Sequence, residues 1–224
     1  MIMQPKNIHK ESKIAERLED FILGNDHPCI MAQTVFKMKE TTIKRYPTLG
    51  TEASAIEIYN DIKSYLTSYD FDSNEFQTFI ATFPENSVAN EQEFEKLLWK
   101  QLQAIHEVDA DPWDASVSSN PDDSKFSFSI GGEAFFIVGM HPQSSRKARR
   151  TPFPVIVFNL HWQFEKLRKM GAYERVRNTI RNRDKALQGT INPVLKDYGD
   201  DTETKQYSGR AVEDDWKCPF HPSD

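Results

Sequence analysis

The chain is short of cysteine and of glycine, with two Cys and nine Gly in 224 residues. Two thiols cannot build a disulfide scaffold, so a cytoplasmic setting is the expectation. Neither GxxxxGK[ST] nor GxGxxG occurs, which excludes the glycine-rich phosphate and dinucleotide loops. GxSxG, HExxH and an EF-hand loop are also missing. No apolar run approaches the ~20 residues of a membrane span, and the longest, at 152–160, has the length of a strand. The first ten residues are polar and lack the apolar stretch of a signal peptide. No internal repeat is visible.

What is present fits a soluble protein with a sizeable core. Hydrophobic residues make up 38% and charged residues 28% of the chain, and mean hydropathy is −0.65. Fifteen Phe, seven Tyr and four Trp exclude a disordered chain. The net charge of −6 argues against broad nucleic-acid binding. That charge is uneven: Arg146, Lys147, Arg149 and Arg150 cluster, 166–183 is basic, and 85–123 and 197–215 are acidic.

Periodicity supplies the elements. Helices are expected at 9–23, 53–69 and 91–106, and a longest one from His161, with Phe164, Leu167, Tyr173, Val176 and Ile180 as its stripe. Strands are expected at 30–36, 76–83, 126–130, 134–140 and 154–160, with Gly131-Gly132 as a hairpin turn. The polar, Ser-rich 109–124 reads as a loop, and the chain after Gly189 as an irregular tail. The sum is an α+β fold of one domain over 1–224, a mostly antiparallel sheet flanked by helices.

Three constellations carry chemistry. A buried strand ends at His141-Pro142, and Ser144, Ser145, Arg146, Arg149 and Arg150 follow at once. Hydroxyls and guanidinium forks suit an anionic group, although a basic surface loop has the same composition. His161 falls on the inward stripe of the helix it opens, where an imidazole can ligate a metal, act as a base or satisfy a buried backbone group. Cys218-x-x-His221 is half of a zinc site, and His27-x-Cys29 is a second possible half. Either a thiolate or a histidine there can also ligate haem iron.

The runs GGEAFFIVGMHPQSSRKARR, VFNLHWQFEKLR, RNRDKALQGTINPVL and QYSGRAVEDDWKCPFHP together resemble the YqcI/YcgG family. The likeness is dense over 126–221, looser over 27–36, and between them rests on element order and Asp111-Pro112-Trp113-Asp114. Members of that family include haem-dependent N-hydroxylases of guanidine compounds. The resemblance therefore implies a haem b monooxygenase acting on a guanidino or related amine substrate. Its oxidant would be O2 with electrons from an external reductase, or peroxide, since no flavin or nicotinamide fingerprint is present.

On this reading Ser144, Ser145, Arg146, Arg149 and Arg150 are the expected partners of the haem propionates. His161 is the expected axial ligand, with Cys218 as its rival. His141 and His221 are further candidates, one of them for distal proton handling. His141 and Glu165 are the candidate catalytic residues, and Glu133, Glu165, Asp111 and Asp114 the carboxylates that would meet a guanidinium. The loop 109–124 would then be a candidate cover for the pocket. Two other readings stand beside this one: a haem-binding or sensing protein without chemistry, and a zinc-stabilised interaction protein.

Overall fold

A computed structural model describes residues 5–24, 26–73 and 75–222. Helix α1 (Pro5–Glu19) runs into a π-helical turn, Asp20–Gly24. Then come α2 (Ile30–Lys37), β1 (Thr41–Arg45), α3 (Glu52–Ser68), β2 (Thr78–Thr82) and α4 (Glu91–Val108). The hairpin β3 (Phe128–Ile130) and β4 (Glu133–Met140) follows, then β5 (Val155–Leu160), α5 (His161–Lys169), α6 (Tyr173–Gln188) and α7 (Thr204–Tyr207). The five strands form one sheet in the order β1-β2-β5-β4-β3. Only β1–β2 is parallel; β2–β5, β5–β4 and β4–β3 are antiparallel. The fold is α+β, with a mostly antiparallel sheet as expected. Among the described residues no helix is long and apolar enough to cross a membrane.

Both faces of the central strands are covered, and they are covered differently. Phe79, Phe135, Ile137, Ile156 and Phe158 point to one side and pack with Ile58, Ile62, Phe94, Leu98 and Leu102 of α3 and α4. This side is dense with rings, as in the edge-to-face contacts Phe79–Phe158 and Phe135–Phe158. The alternate residues Ile80, Met140, Val155 and Val157 point the other way, toward Ile14, Leu18, Ile22, Val35 and Phe36 of the N-terminal helices.

Four local expectations are corrected. Residues 30–36 form a helix, not a strand: Cys29 caps it, its Sγ accepting from Ala32 N at 3.4 Å. A short apolar run has no period of its own, so the cap and the contact with the π-helical turn decide it. Strand β1 was not expected, because an edge strand carrying Lys44 and Arg45, with no fully buried position, shows no apolar alternation. The long helix from His161 is two helices. Gly171 (φ +66°) breaks it, with Ala172 N donating to Leu167 O and Gly171 N to Arg168 O, a Schellman ending. The tail also contains one helical turn, α7, whose Tyr207 is buried in the ring-rich core and stacks on Trp99.

Candidate functional site

The N-terminal helices do not fill the second face of the sheet, and α5 and α6 roof the remainder. The result is a cavity of about 320 Å³, at the lower end of the ~300–1,000 Å³ range of small-molecule sites. Its floor is sheet: Ile80 from β2, Phe136 and Val138 from β4, and Val157 and Asn159 from β5. Its walls include Leu18, Val35, Leu167, Val176 and Ile180. The polar atoms of the floor are satisfied locally, since Thr78 Oγ1 donates to Asn159 Oδ1 at 3.0 Å.

Four polar features interrupt this apolar surface. The first is His161, delivered directly by β5 because strand and helix join with no loop between Leu160 and His161. Its ring is buried, lies edge-on to Tyr198 at 4.5 Å, and has Nε2 3.5 Å from Glu165 Oε1. Among the described residues Nδ1 has no hydrogen-bond partner. Burial lowers its pKa, against the opposing pull of Glu165, so the ring is neutral near pH 7.

The second is the His27–Cys29 pair. His27 Nδ1 accepts from Cys29 N at 3.2 Å, so Nε2 carries the proton and donates to Ala148 O at 2.9 Å. Both nitrogens are thereby committed to backbone. The Cys29 thiol faces the cavity as the cap of α2, and burial pushes its pKa up.

The third is a cationic border. Arg168 pairs with Glu165 and lies over the Tyr173 ring at 4.2 Å. Arg177 and Arg181, one turn apart on α6, both grip Asp197, Arg181 Nη2 at 2.8 Å from Oδ1.

The fourth is Glu203. It is 4% exposed, lines the cavity, and accepts from Tyr207 Oη at 3.2 Å. Burial pushes its carboxyl up to about 8, against the hydrogen bonds of Ser127 and Tyr207 and the field of Arg168.

Of the residues singled out in the sequence, His161 lines this cavity, and Glu165 sits behind it on α5. The arginine loop does not line it. Arg146 is buried in an ion pair with Asp184 and bonds to Thr190. Arg149 donates to the carbonyls of Gly139, Gln206 and Tyr207, and burial brings its pKa down to about 10. Arg150 Nε donates to Ser144 O, and Ser145 bonds to Glu91. These groups hold the loop together away from the cavity, so the residues expected to cradle an anion are not the ones that line it.

His141 is also elsewhere, stacked on Phe94 at 4.2 Å, and burial takes its pKa down to about 4. Cys218 packs beside Trp216 on the ring-rich side of the sheet, its thiol pushed up to about 12 by burial. His221 is fixed there through its backbone to Gln103 of α4. The two half-sites for zinc therefore lie on opposite faces of the sheet. Among the described residues no group of three or more His, Cys, Asp or Glu is placed to hold a metal ion.

Nor does the loop 109–124 cover the cavity. Asp109 accepts from Gly131 N, Asp111 from Lys63 and Tyr59, and Asp114 from Ala134 N, which pins the loop to α3 and the β3–β4 hairpin. Glu133 is outside the cavity as well, with its pKa raised by burial and by Asp114. The sequence reading missed Cys29 as a cavity residue, the Arg168–Arg177–Arg181 border, and Glu203. The arginines belonged to a basic stretch and Glu203 to an acidic one, so neither stood out from a solvated face.

No solved structure matches the chain. It is 28% identical over 221 residues to the uncharacterized protein YcgG of Bacillus subtilis (strain 168), covering 93% of this chain and 87% of that protein. It is 29% identical over 209 residues to the uncharacterized protein YqcI of the same organism, covering 88% and 81%. The model of the YqcI/YcgG family matches residues 18–221, from the wall of the cavity at Leu18 to the end of the ring-rich core, and the chain belongs to that family.

Proposed function

We propose that the cavity binds haem b and that the protein N-hydroxylates a guanidino or related amine substrate with O2 and external electrons, or with peroxide. The observation that carries this reading is His161. It offers a buried, neutral imidazole on the wall of an apolar cavity, with Nδ1 unpartnered and Nε2 facing a carboxylate. A metal-bound histidine commonly has its other nitrogen held by a carboxylate, which fixes the ring and raises its basicity.

The residues present fit the group. Phe136, Val138, Val157 and Ile180 supply apolar surface for a macrocycle. Arg168, Arg177 and Arg181 line the cavity, unlike the arginine loop expected from the sequence, and would meet its carboxylates by sharing or exchanging Glu165 and Asp197, the partners they hold here. Haem bound here would supply an iron centre able to activate oxygen.

The chain's own residues do the remaining work. Glu165, with Oε1 3.5 Å from Nε2, faces the ring of His161 and would hold it in one orientation, which makes it a positioning residue. Arg168, paired with the same carboxylate, limits how far Glu165 can turn. The floor and the α6 roof present few polar atoms, so that charges held against them interact more strongly than they would in bulk solvent.

The test is an absorption spectrum of protein expressed with a haem precursor, as purified, reduced, and reduced with CO. A Soret band that is lost or displaced in His161→Ala is the expected result, together with hydroxylation of a member of a guanidine library. No band after addition of haem overturns the reading. A band without turnover leaves a haem carrier and removes the hydroxylase.

A further inference from the structure

Among the described residues two acidic side chains reach the cavity, and they are in different states. Asp197 is neutralised by Arg177 and Arg181. Arg168, the cation whose field reaches Glu203, is already paired with Glu165. What Glu203 has instead of a counter-ion is a hydrogen-bond network. Phe128 N donates to Tyr207 Oη at 3.2 Å, and Tyr207 Oη donates to Glu203 Oε2. The other neighbour is Ser127, whose single hydroxyl proton goes to Phe135 O at 3.2 Å. While it does, the hydrogen bond that reaches Glu203 is the one from Tyr207, and a second donor for an ionised carboxylate would have to come from Ser127. The network is complete with Glu203 neutral. Ionised, Glu203 would draw the Ser127 proton away from Phe135 O and stand as a bare charge in an apolar chamber.

We propose that Glu203 is the binding residue for an organic cation with an apolar body, and that the cation enters in exchange for the carboxyl proton of Glu203. This rests on the reading of the cavity as the substrate site. The exchange balances. The O–H bond of the carboxyl breaks and the proton leaves to solvent. The Ser127 hydroxyl turns from Phe135 O to the carboxylate, and the arriving guanidinium or ammonium restores neutrality. The apolar part of the ligand meets the apolar lining of the same cavity that the macrocycle leaves uncovered. The ionisable groups around Glu203 are Tyr207 on its own helix, Tyr198 from the preceding loop, and Arg168 on α5 with its partner Glu165. Burial holds both phenols well above neutrality, so Glu203 is the group that exchanges near pH 7.

The experiment is calorimetric titration of the full-length protein with n-butylguanidinium, in two buffers of different ionisation enthalpy. It is repeated with n-butylurea, a neutral molecule of the same shape. The expected result at pH 6.5 is release of about one proton per cation bound, falling toward none at pH 9.5. Cation affinity should rise roughly tenfold per pH unit and level off near the carboxyl's raised pKa of about 8. Butylurea should show neither effect. Glu203→Gln preserves the neutral network, so it should fold and bind butylurea as before. It should lose the proton release and, above pH 8, at least tenfold in cation affinity. Tyr207→Phe removes a donor to the carboxylate and should move the pH midpoint upward.

Proton release persisting in Glu203→Gln, cation binding at pH 6.5 without it, or no cation binding at any pH each overturns the proposal. Recording the Soret region of the haem-titrated protein in the same samples separates the two readings. Proton-linked binding without a Soret band removes haem and keeps Glu203. A Soret band with Glu203→Gln behaving as wild type removes Glu203 alone.

Discussion

His141 and His161 are both buried imidazoles of lowered pKa, twenty positions apart, and only one of them faces a cavity. His141 lies flat on Phe94, and among the described residues neither of its nitrogens has a hydrogen-bond partner. It is therefore a neutral ring used for packing, and its cost appears in acid. The folded protein keeps His141 neutral down to about pH 4, whereas the unfolded chain protonates it near its ordinary pKa of about 6.5. Between those values the unfolded state binds more protons, so stability falls as pH drops through this window. His27, His106 and His161 are shifted in the same direction and add to the fall. Urea denaturation of His141→Phe against wild type, from pH 7 to pH 4, isolates its share, and the variant should lose less stability on acidification.

Residue types were legible at this scale and their partners were not. The arginines at 146–150 suit an anion by composition. They are consumed by Asp184 and by main-chain carbonyls from distant parts of the chain, which no local pattern reveals.

At the scale of elements, α6 is the piece attached differently from the rest. None of its residues is fully buried, and its apolar Val176 and Ile180 face the cavity. It is held by charges: Arg146–Asp184, Arg183–Asp26, and the double grip on Asp197. Glycines in the left-handed region bound it, Gly171 (φ +66°) and Gly189 (φ +87°), and a Cβ at either would meet nothing within 4 Å. Replacing Gly171 by Ala therefore costs backbone strain alone, about 1–2 kcal/mol. That strain should loosen the junction from α5, and faster amide exchange over 173–188 than in α4 would register it.

The stripe Phe164–Ile180 was legible because it is real on both helices. The break left only a faint trace, a step of six residues from Leu167 to Tyr173 where two helical turns take about seven, and the stripe was read through it. The misread α2 and the missed β1 share a cause: both are short, and tertiary neighbours decide both.

For the whole molecule, the asymmetry between the two faces of the sheet is the main result. Strands β2, β4 and β5 are apolar on both sides, so the sequence announced a buried sheet and could not say which side was solid. The hollow side is assembled from segments spread over 18–36, 76–80, 136–181 and 195–206, a juxtaposition that exists only after folding. The contrast can be tested with a pair of variants. Phe158→Ala, on the solid side, should cost about 3–5 kcal/mol in chemical denaturation. Val138→Phe, on the floor, adds volume to empty space. It should leave stability within about 1 kcal/mol of wild type while abolishing retention of the cavity's ligand, read as loss of the Soret band on gel filtration.

Because the pleat alternates, Val157 and Phe158 are covalent neighbours that answer to different masters. One faces whatever the protein holds, and the other faces the aromatic interior. Selectivity and foldability thus alternate along the same strands, and they overlap at Ile80 and Val157, which also pack against the N-terminal helices. A new ligand preference is reachable through Phe136, Val138 and Asn159, with every residue between them left in place.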